Sequence, residues 1–158
     1  MSFFNNPNRI PESYGLRIAA GLTGFFLIMK LVGLSHIVEL RLLNLFILSG
    51  GVYAALGRFR QTHDELNYFR GLITGVTTAA IGSVVFAFFL FLYMKLDTEM
   101  MQFIIENEPM GRYMNPYIAS FIVALEGVFS GILVIFILMN YFGAEKSEVS
   151  KSDIEGKA

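Results

Sequence analysis

Residues 117–142 read YIASFIVALEGVFSGILVIFILMNYF, and they determine the architecture of the chain. The stretch is apolar almost throughout, and one carboxylate, Glu126, interrupts its interior. A helix needs about 20 such residues to cross the ~30 Å hydrocarbon core of a bilayer, so this stretch is long enough to span it with some tilt. Because the apolar residues do not alternate with polar ones, the pattern predicts a membrane-spanning helix and not a barrel strand.

Three more segments of this kind precede it, over about 16–34, 37–56 and 71–94. Only a tight turn around Ser35 and His36 separates the first two segments, which predicts that they are antiparallel neighbours. The sequence therefore predicts an all-α fold, a four-helix transmembrane bundle with short loops.

The composition excludes the other classes of protein. The chain has 158 residues, of which 54% are apolar and 16% are charged, whereas soluble domains carry about 25% charged residues. A domain this small cannot bury so much apolar surface away from water, and a chain this apolar does not stay disordered. The expected partner is therefore the lipid bilayer. The formal net charge of −1 gives no basic surface that would attract nucleic acid, so no nucleic-acid partner is expected.

No metal, cofactor or enzymatic activity is expected. The chain has no cysteine, which excludes disulfides, thiolate metal sites and iron–sulfur clusters. Its two histidines, His36 and His63, are too few and too far apart to suggest a metal or haem site. The phosphate-binding pattern GxxxxGK followed by Ser or Thr is absent, and no Ser–His–Asp arrangement can be placed.

The chain divides into three parts. Residues 1–14 form a polar lead-in without the basic start of a cleavable signal peptide, so we expect the first span to be retained. Residues 15–142 hold the four spans, and the charged tail 143–158 is predicted to be disordered. In the acidic loop after the third span, MMQFII (100–105) is predicted to lie on the membrane surface or to extend the third helix.

The distribution of Lys and Arg predicts the orientation. Four spans place both termini and the 57–70 loop on one side of the membrane, and that side carries eight Lys and Arg residues against four on the other. The positive-inside rule therefore predicts that both termini lie in the cytoplasm.

Glu126 is the charge that the membrane has to accommodate. It lies about nine residues inside the span, roughly 13 Å deep, where a charge costs on the order of 2.5–3.5 kcal/mol. The span still inserts, because fourteen Ile, Leu, Phe and Val residues between Ile118 and Leu138 favour insertion by about 4–8 kcal/mol. At about 100° per residue Glu126 shares a helix face with small residues, which predicts that it points into the bundle.

Small residues also mark the expected helix contacts, because they let helix backbones approach closely. They form one seam on the face of Glu126 and a matching seam on the third span. The predicted packing positions are Gly71, Gly75, Gly82, Gly127 and Gly131.

The second span offers two partners for Glu126. Asn44 is about 10 Å deep, and Arg41 shares its face one turn outward, whereas Lys30 of the first span is expected to snorkel to the outer surface. One interpretation is a buried polar clasp of Glu126, Asn44 and Arg41. The other is a protonatable coupling site in a transport path, since ionisable groups inside membranes mark such paths.

Three stretches, LNYFRGLITG (66–75), FLYMKLDTEMM (91–101) and FIVALEGVFSG (121–131), carry a resemblance. The chain resembles a family of small bacterial inner-membrane proteins known only as a domain of unknown function. The resemblance implies a multi-pass protein of the bacterial inner membrane with this fold. It implies no activity and no catalytic residue.

Two functions follow from the residues. The favoured one is a non-enzymatic structural or assembly component that acts through helix packing, in a homo-oligomer or a larger membrane complex. The alternative is a small oligomeric membrane transporter that uses Glu126 as its coupling group.

Overall fold

The structure is a computed structural model, which describes residue 6 and residues 9–33, 41–62, 68–107 and 110–155. Within these ranges it is helical and contains no strand. In chain order the elements are α1 (Ile10–Leu31), α2 (Arg41–Thr62), α3 (Tyr68–Leu96), α4 (Thr98–Asn107), a 3-10 turn (Gly111–Tyr113) and α5 (Pro116–Glu155).

Four of these helices are long and apolar enough to cross a membrane. The candidate spans are Ile10–Leu31, Leu42–Thr62, Tyr68–Leu96 and Pro116–Phe142. This confirms the all-α bundle with four candidate membrane-spanning helices that the sequence predicts. The predicted turn at Ser35 and His36 lies outside the described residues.

Local signals set the ends of α1. The helix begins at Ile10, inside the predicted polar lead-in, because Pro11 suits its first turn and the Glu12 carboxylate meets the positive end of the helix dipole. It ends at Leu31, and Gly33 just beyond has a φ of 76°, a left-handed conformation that glycine adopts without a steric penalty.

α5 is longer than the predicted span at its carboxyl end. It begins after Asn115, whose Oδ1 accepts a hydrogen bond from the Ile118 N–H at 3.0 Å and so caps the helix. It continues to Glu155, through most of the tail 143–158 that the sequence predicts to be disordered. The difference has a physical reason, since extending an existing helix adds one hydrogen bond per residue and Ala, Glu and Lys favour helix.

α1 runs parallel to α3, and α2 returns antiparallel to both. Near the start of α1, Gly15 packs against Ile81 of α3, and at its end Lys30 reaches Asp97, just beyond α3. α5 runs antiparallel to α3, since Gly71 packs against Met139 near one end of the pair and Phe91 contacts Tyr117 near the other.

Glycines set the closest approaches between α3 and its neighbours. A Cβ at Gly75 would lie 2.9 Å from Ile135 Cγ1 of α5, and a Cβ at Gly82 would lie 2.8 Å from Ile18 Cγ2 of α1. On α5, Gly127 lies against Ser83 and Gly131 lies against Ala79. α3 therefore meets α1 on one face and α5 on another, each at a distance that larger residues would not allow.

The most buried side chains come from all four long helices, and Ser13 of α1 is among them. They include Val52, Leu56, Thr78, Ile135 and Met139. The Thr78 hydroxyl donates a hydrogen bond to the Thr74 carbonyl at 2.7 Å, so its burial leaves no unsatisfied donor.

Asp97 separates α3 from α4. Its backbone N–H donates to the Tyr93 carbonyl at 2.8 Å and closes α3, while its Oδ1 accepts from the Met100 N–H at 3.1 Å and caps α4. The segment MMQFII is therefore part of a separate helix and does not continue α3 without a break. Ile104 in this helix is buried.

We expect Gly131→Ala to destabilise the bundle by about 1–3 kcal/mol, because the new Cβ meets the Ala79 Cβ, and neither atom can rotate away. Gly24→Ala is the matched control, since no atom lies within 4 Å of a Cβ at this helical glycine. The control should be neutral or stabilise by about 0.5–1 kcal/mol. Thermal unfolding in detergent measures both, and equal stability of the two variants would contradict the close α3–α5 contact.

Candidate functional site

Glu126 lies near the middle of the α5 span. The span is Pro116–Phe142, so Glu126 is three residues from the central position, about 4.5 Å along the helix axis. Its side chain is exposed, and the neighbouring Phe129 and Leu133 are 63% and 66% exposed. The structure thus places Glu126 on the outer surface of the single bundle, and the prediction that it points into the bundle is corrected.

The helix contact explains this difference. α5 meets α3 along a row of residues spaced by four, namely Gly127, Gly131, Ile135 and Met139. Each four-residue step turns by about 40° around the helix, so the row lies roughly 100° to 220° around from Glu126. The spacing of the small residues predicts a broad contact face on α5. It does not predict which row of residues on that face contacts α3.

Asn44 lies at the level of Glu126 without bonding to it. α2 and α5 run parallel, with Leu48 Cδ2 3.9 Å from the Cβ position of Gly131. Asn44 is one turn before Leu48, as Gly127 is one turn before Gly131, so Asn44 and Gly127 share a level. The Asn44 Oδ1 atom is buried without a hydrogen-bond partner among the described residues.

Glu126 and Asn44, two residues of the predicted clasp, do not bond to each other in the described part of the chain, and the place of Arg41 in the clasp stays a prediction. Glu126 is exposed, Asn44 is half-buried, and the Arg41 side chain lies outside the described residues. Ser83 of α3 lies at the level of Glu126 along the bundle, because it packs against Gly127. Its Oγ atom is buried and has no hydrogen-bond partner among the described residues. Ser83 is not among the residues predicted from the sequence, and its signal there is its position directly after Gly82 on the small seam of α3.

An ion pair joins α1 and α3 at their shared end. Lys30 Nζ lies 2.8 Å from Asp97 Oδ2, and the Tyr93 hydroxyl donates to the same oxygen at 3.0 Å. The sequence predicts that Lys30 snorkels to the outer surface, and the structure adds a specific partner 67 residues away in the chain. The hydrogen bond from Lys30, followed by that from the Met100 N–H, lowers the pKa of Asp97 from 3.8 to about 2.

This ion pair predicts a loss of stability in acid. Because the pKa of Asp97 is lower in the folded chain, its contribution is complete above about pH 4 and falls as the pH approaches 2. For a partly exposed pair we expect about 1 kcal/mol. Asp97→Asn keeps the cap of α4 and removes the charge, so the variant should be less stable at pH 6 and should lose this acid dependence. Melting temperatures in detergent between pH 2 and 6 measure both, and parallel curves for the two proteins would contradict the pairing.

No group of three His, Asp or Glu side chains that could hold a metal occurs within the described ranges. Three polar groups lie at one level of the bundle, namely the exposed Glu126, the half-buried Asn44 and the buried Ser83, and the Lys30–Asp97 pair lies near one end of α1 and α3.

The comparisons with known proteins identify no relative. No protein-family model matches the chain, and neither a curated protein nor a solved structure does. The resemblance to the small inner-membrane family therefore stays a prediction.

Proposed function

We propose that this chain is a non-enzymatic multi-pass membrane protein that acts by packing against a second copy of itself through α5. Its two termini lie in the cytoplasm, and the membrane is the inner membrane of a bacterium. The location is supported by the resemblance of its sequence, and the orientation by the excess of Lys and Arg on the terminal side. Labelling of Asn107→Cys from outside the cell by an impermeant thiol reagent tests this orientation.

An exposed stripe on α5 carries the proposal. Its residues are separated by alternating steps of four and three, and all of them are exposed in the single chain: Ile122, Glu126, Phe129, Leu133, Phe136 and Asn140. This alternation is the seam of a left-handed coiled coil, in which two parallel helices meet every 3.5 residues. Only 11% of the apolar window of α5 is buried, against 44% for α3, so α5 has the free surface for a second helix.

The polar residues of the stripe fit a paired arrangement. Glu126, Leu133 and Asn140 are seven residues apart and fall at one heptad position. A polar residue at such a position specifies the register and number of helices. An exposed carboxylate at this depth costs on the order of 2.5–3.5 kcal/mol in lipid, and a second copy would replace the lipid around it.

Membrane topology determines how two copies would meet. All copies insert with the same orientation, so a two-fold axis has to run along the membrane normal and the two α5 helices run parallel. An interface of this kind is self-complementary, and equivalent residues meet across the axis. Glu126 of one copy then faces Glu126 of the other across the axis.

The absence of native cysteine allows a direct test. We expect Leu133→Cys to form a disulfide-linked dimer on mild oxidation in native membranes, because equivalent stripe residues meet. Phe88→Cys on α3 is the matched control, with a similar exposure of 61% against 66%, and should stay monomeric. Adding Glu126→Lys should abolish the crosslink by like-charge repulsion, whereas Glu126→Gln should keep it. Monomers alone from Leu133→Cys, or equal crosslinking by Phe88→Cys, would overturn the proposal.

The second candidate is a small oligomeric transporter with Glu126 as its coupling group. Two buried oxygens favour it, Asn44 Oδ1 and Ser83 Oγ, since both lie at the level of Glu126 and neither has a hydrogen-bond partner within the described residues. Oxygen atoms of this kind can bind an ion or accept a proton that passes this depth on its way across the membrane.

Reconstituted vesicles distinguish the two candidates. A transporter should move protons across the vesicle membrane, reported by an entrapped pH-sensitive dye, and Glu126→Gln should abolish that flux without changing the dimer crosslink. Ser83→Ala should reduce the flux to a smaller extent. Flux of the wild-type protein no greater than that of empty vesicles would exclude proton coupling.

A further inference from the structure

Methionines are concentrated at the end of the bundle that holds the Lys30–Asp97 pair. Five of the eight methionines in the chain lie at the end of α3, in α4 and in the segment that leads into α5: Met94, Met100, Met101, Met110 and Met114. Four of these five are buried in the apolar core or packed against it, whereas Met110 is 68% exposed. We refer to the four, Met94, Met100, Met101 and Met114, as the methionine cluster.

Local geometry places three members of the methionine cluster near the buried Ile104. Met100 and Met101 precede Ile104 in α4 by four and three residues, so their Cβ atoms lie about 5–6 Å from its Cβ on one face of the helix. The chain then turns back closely over α4, since a Cβ at Gly111 would lie 2.7 Å from the Ile104 carbonyl oxygen. The Met114 N–H donates to the Gly111 carbonyl at 2.8 Å, which holds Met114 beside this turn.

The methionine cluster is accessible only in part. Met94 is buried, whereas Met100, Met101 and Met114 are half-buried against the core that contains Met94. A ligand can therefore reach the three half-buried residues from the end of the bundle, and the apolar core lies beneath it.

The nearby carboxylate of Asp97 is already engaged. Its Oδ2 accepts from Lys30 and from the Tyr93 hydroxyl, and its Oδ1 accepts from the Met100 N–H. The donor atoms that the methionine cluster itself offers to a ligand are thioether sulfurs.

Thioether sulfur determines the class of ligand. It is a soft, polarisable donor without charge, and soft sulfur ligands select Cu(I). Hard cations such as Mg²⁺ and Ca²⁺ take oxygen ligands and do not fit. We propose that the methionine cluster binds Cu(I) through the sulfur atoms of Met100, Met101 and Met114.

Packing alone is the other role for these residues. Methionine fills irregular gaps in apolar cores because its side chain is unbranched and flexible. Leucine distinguishes the two roles, since it keeps the apolar volume at a cost below about 1.5 kcal/mol but has no donor atom for a metal. A packing role therefore tolerates the change to leucine, and a metal site does not.

The test is titration of the purified chain in detergent with Ag(I), which has the charge and softness of Cu(I) but does not change its oxidation state. The chain has no cysteine, so no thiolate competes for the ion. We expect the wild-type protein to bind one equivalent in isothermal titration calorimetry, and Met101→Leu to bind at least about tenfold more weakly. The triple variant M100L/M101L/M114L should lose the binding.

Met139→Leu is the matched control. Met139 is buried in α5 against Gly71, near the opposite end of the bundle, so this variant makes the same chemical change away from the methionine cluster. It should bind Ag(I) as the wild type does. Absence of binding by the wild-type protein, wild-type affinity in the triple variant, or an equal loss in Met139→Leu would overturn the proposal. The single variant Met101→Leu keeps the test decisive if the triple variant does not fold.

The kind of donor atom gives a second readout. A thioether carries no proton, so the affinity for Ag(I) should be the same at pH 5 and at pH 7, whereas binding through His36 or His63 would weaken as the imidazole becomes protonated. X-ray absorption of the Cu(I) complex, prepared with ascorbate, should show sulfur atoms bound to copper. Nitrogen and oxygen neighbours alone, or a marked loss of affinity at pH 5, would overturn the assignment to methionine.

Discussion

The close contact between α3 and α5 is the interaction on which the rest of this bundle depends. In lipid there is no hydrophobic drive for one apolar helix to leave the bilayer for another, so association rests on packing and on interhelical polar contacts. Gly71 and Gly75 of α3 receive Met139 and Ile135, and Gly127 and Gly131 of α5 lie against Ser83 and Ala79. Along the whole helix pair, side chains of one helix lie against glycines of the other. The two helices are therefore in close contact, and dispersion forces act over many atoms.

This contact also explains why Glu126 is exposed. The row of α5 that meets α3 begins one residue after Glu126 and turns away from it, so the carboxylate comes to lie at the margin of the free face. The same geometry leaves most of α5 without a partner in the single chain, whereas α3 is covered by α1 and α5 on different faces. A second copy on α5 would therefore use surface that the fold of one chain leaves available.

The two ends of the bundle differ in their chemistry. At one end Lys30, Asp97 and Tyr93 satisfy one another and tie α1 to α3. At the other end an open cleft between α1, α2 and α5 is lined by Tyr14, Arg58, Arg60 and Phe142, among other residues. One end thus contributes to the stability of the helix pair, while the other has an open cleft with a basic and aromatic lining.

The sequence alone determined the helical class, the number of candidate spans and the depth of Glu126, because these depend on apolar length and on a fixed rise per residue. The bounds of the first two spans differ from the prediction, since the structure has Ile10–Leu31 and Leu42–Thr62. The sequence also indicated which residues are small enough for close contacts, and much of the seam Gly71–Gly82 lies at the helix interfaces. Only the tertiary structure decided which helix each glycine meets, the exposure of Glu126, the positions of Ser83 and Asn44, and the pairing of Lys30 with Asp97. These features depend on the rotation of each helix about its own axis and on contacts between distant residues, and helical periodicity in a single chain determines neither.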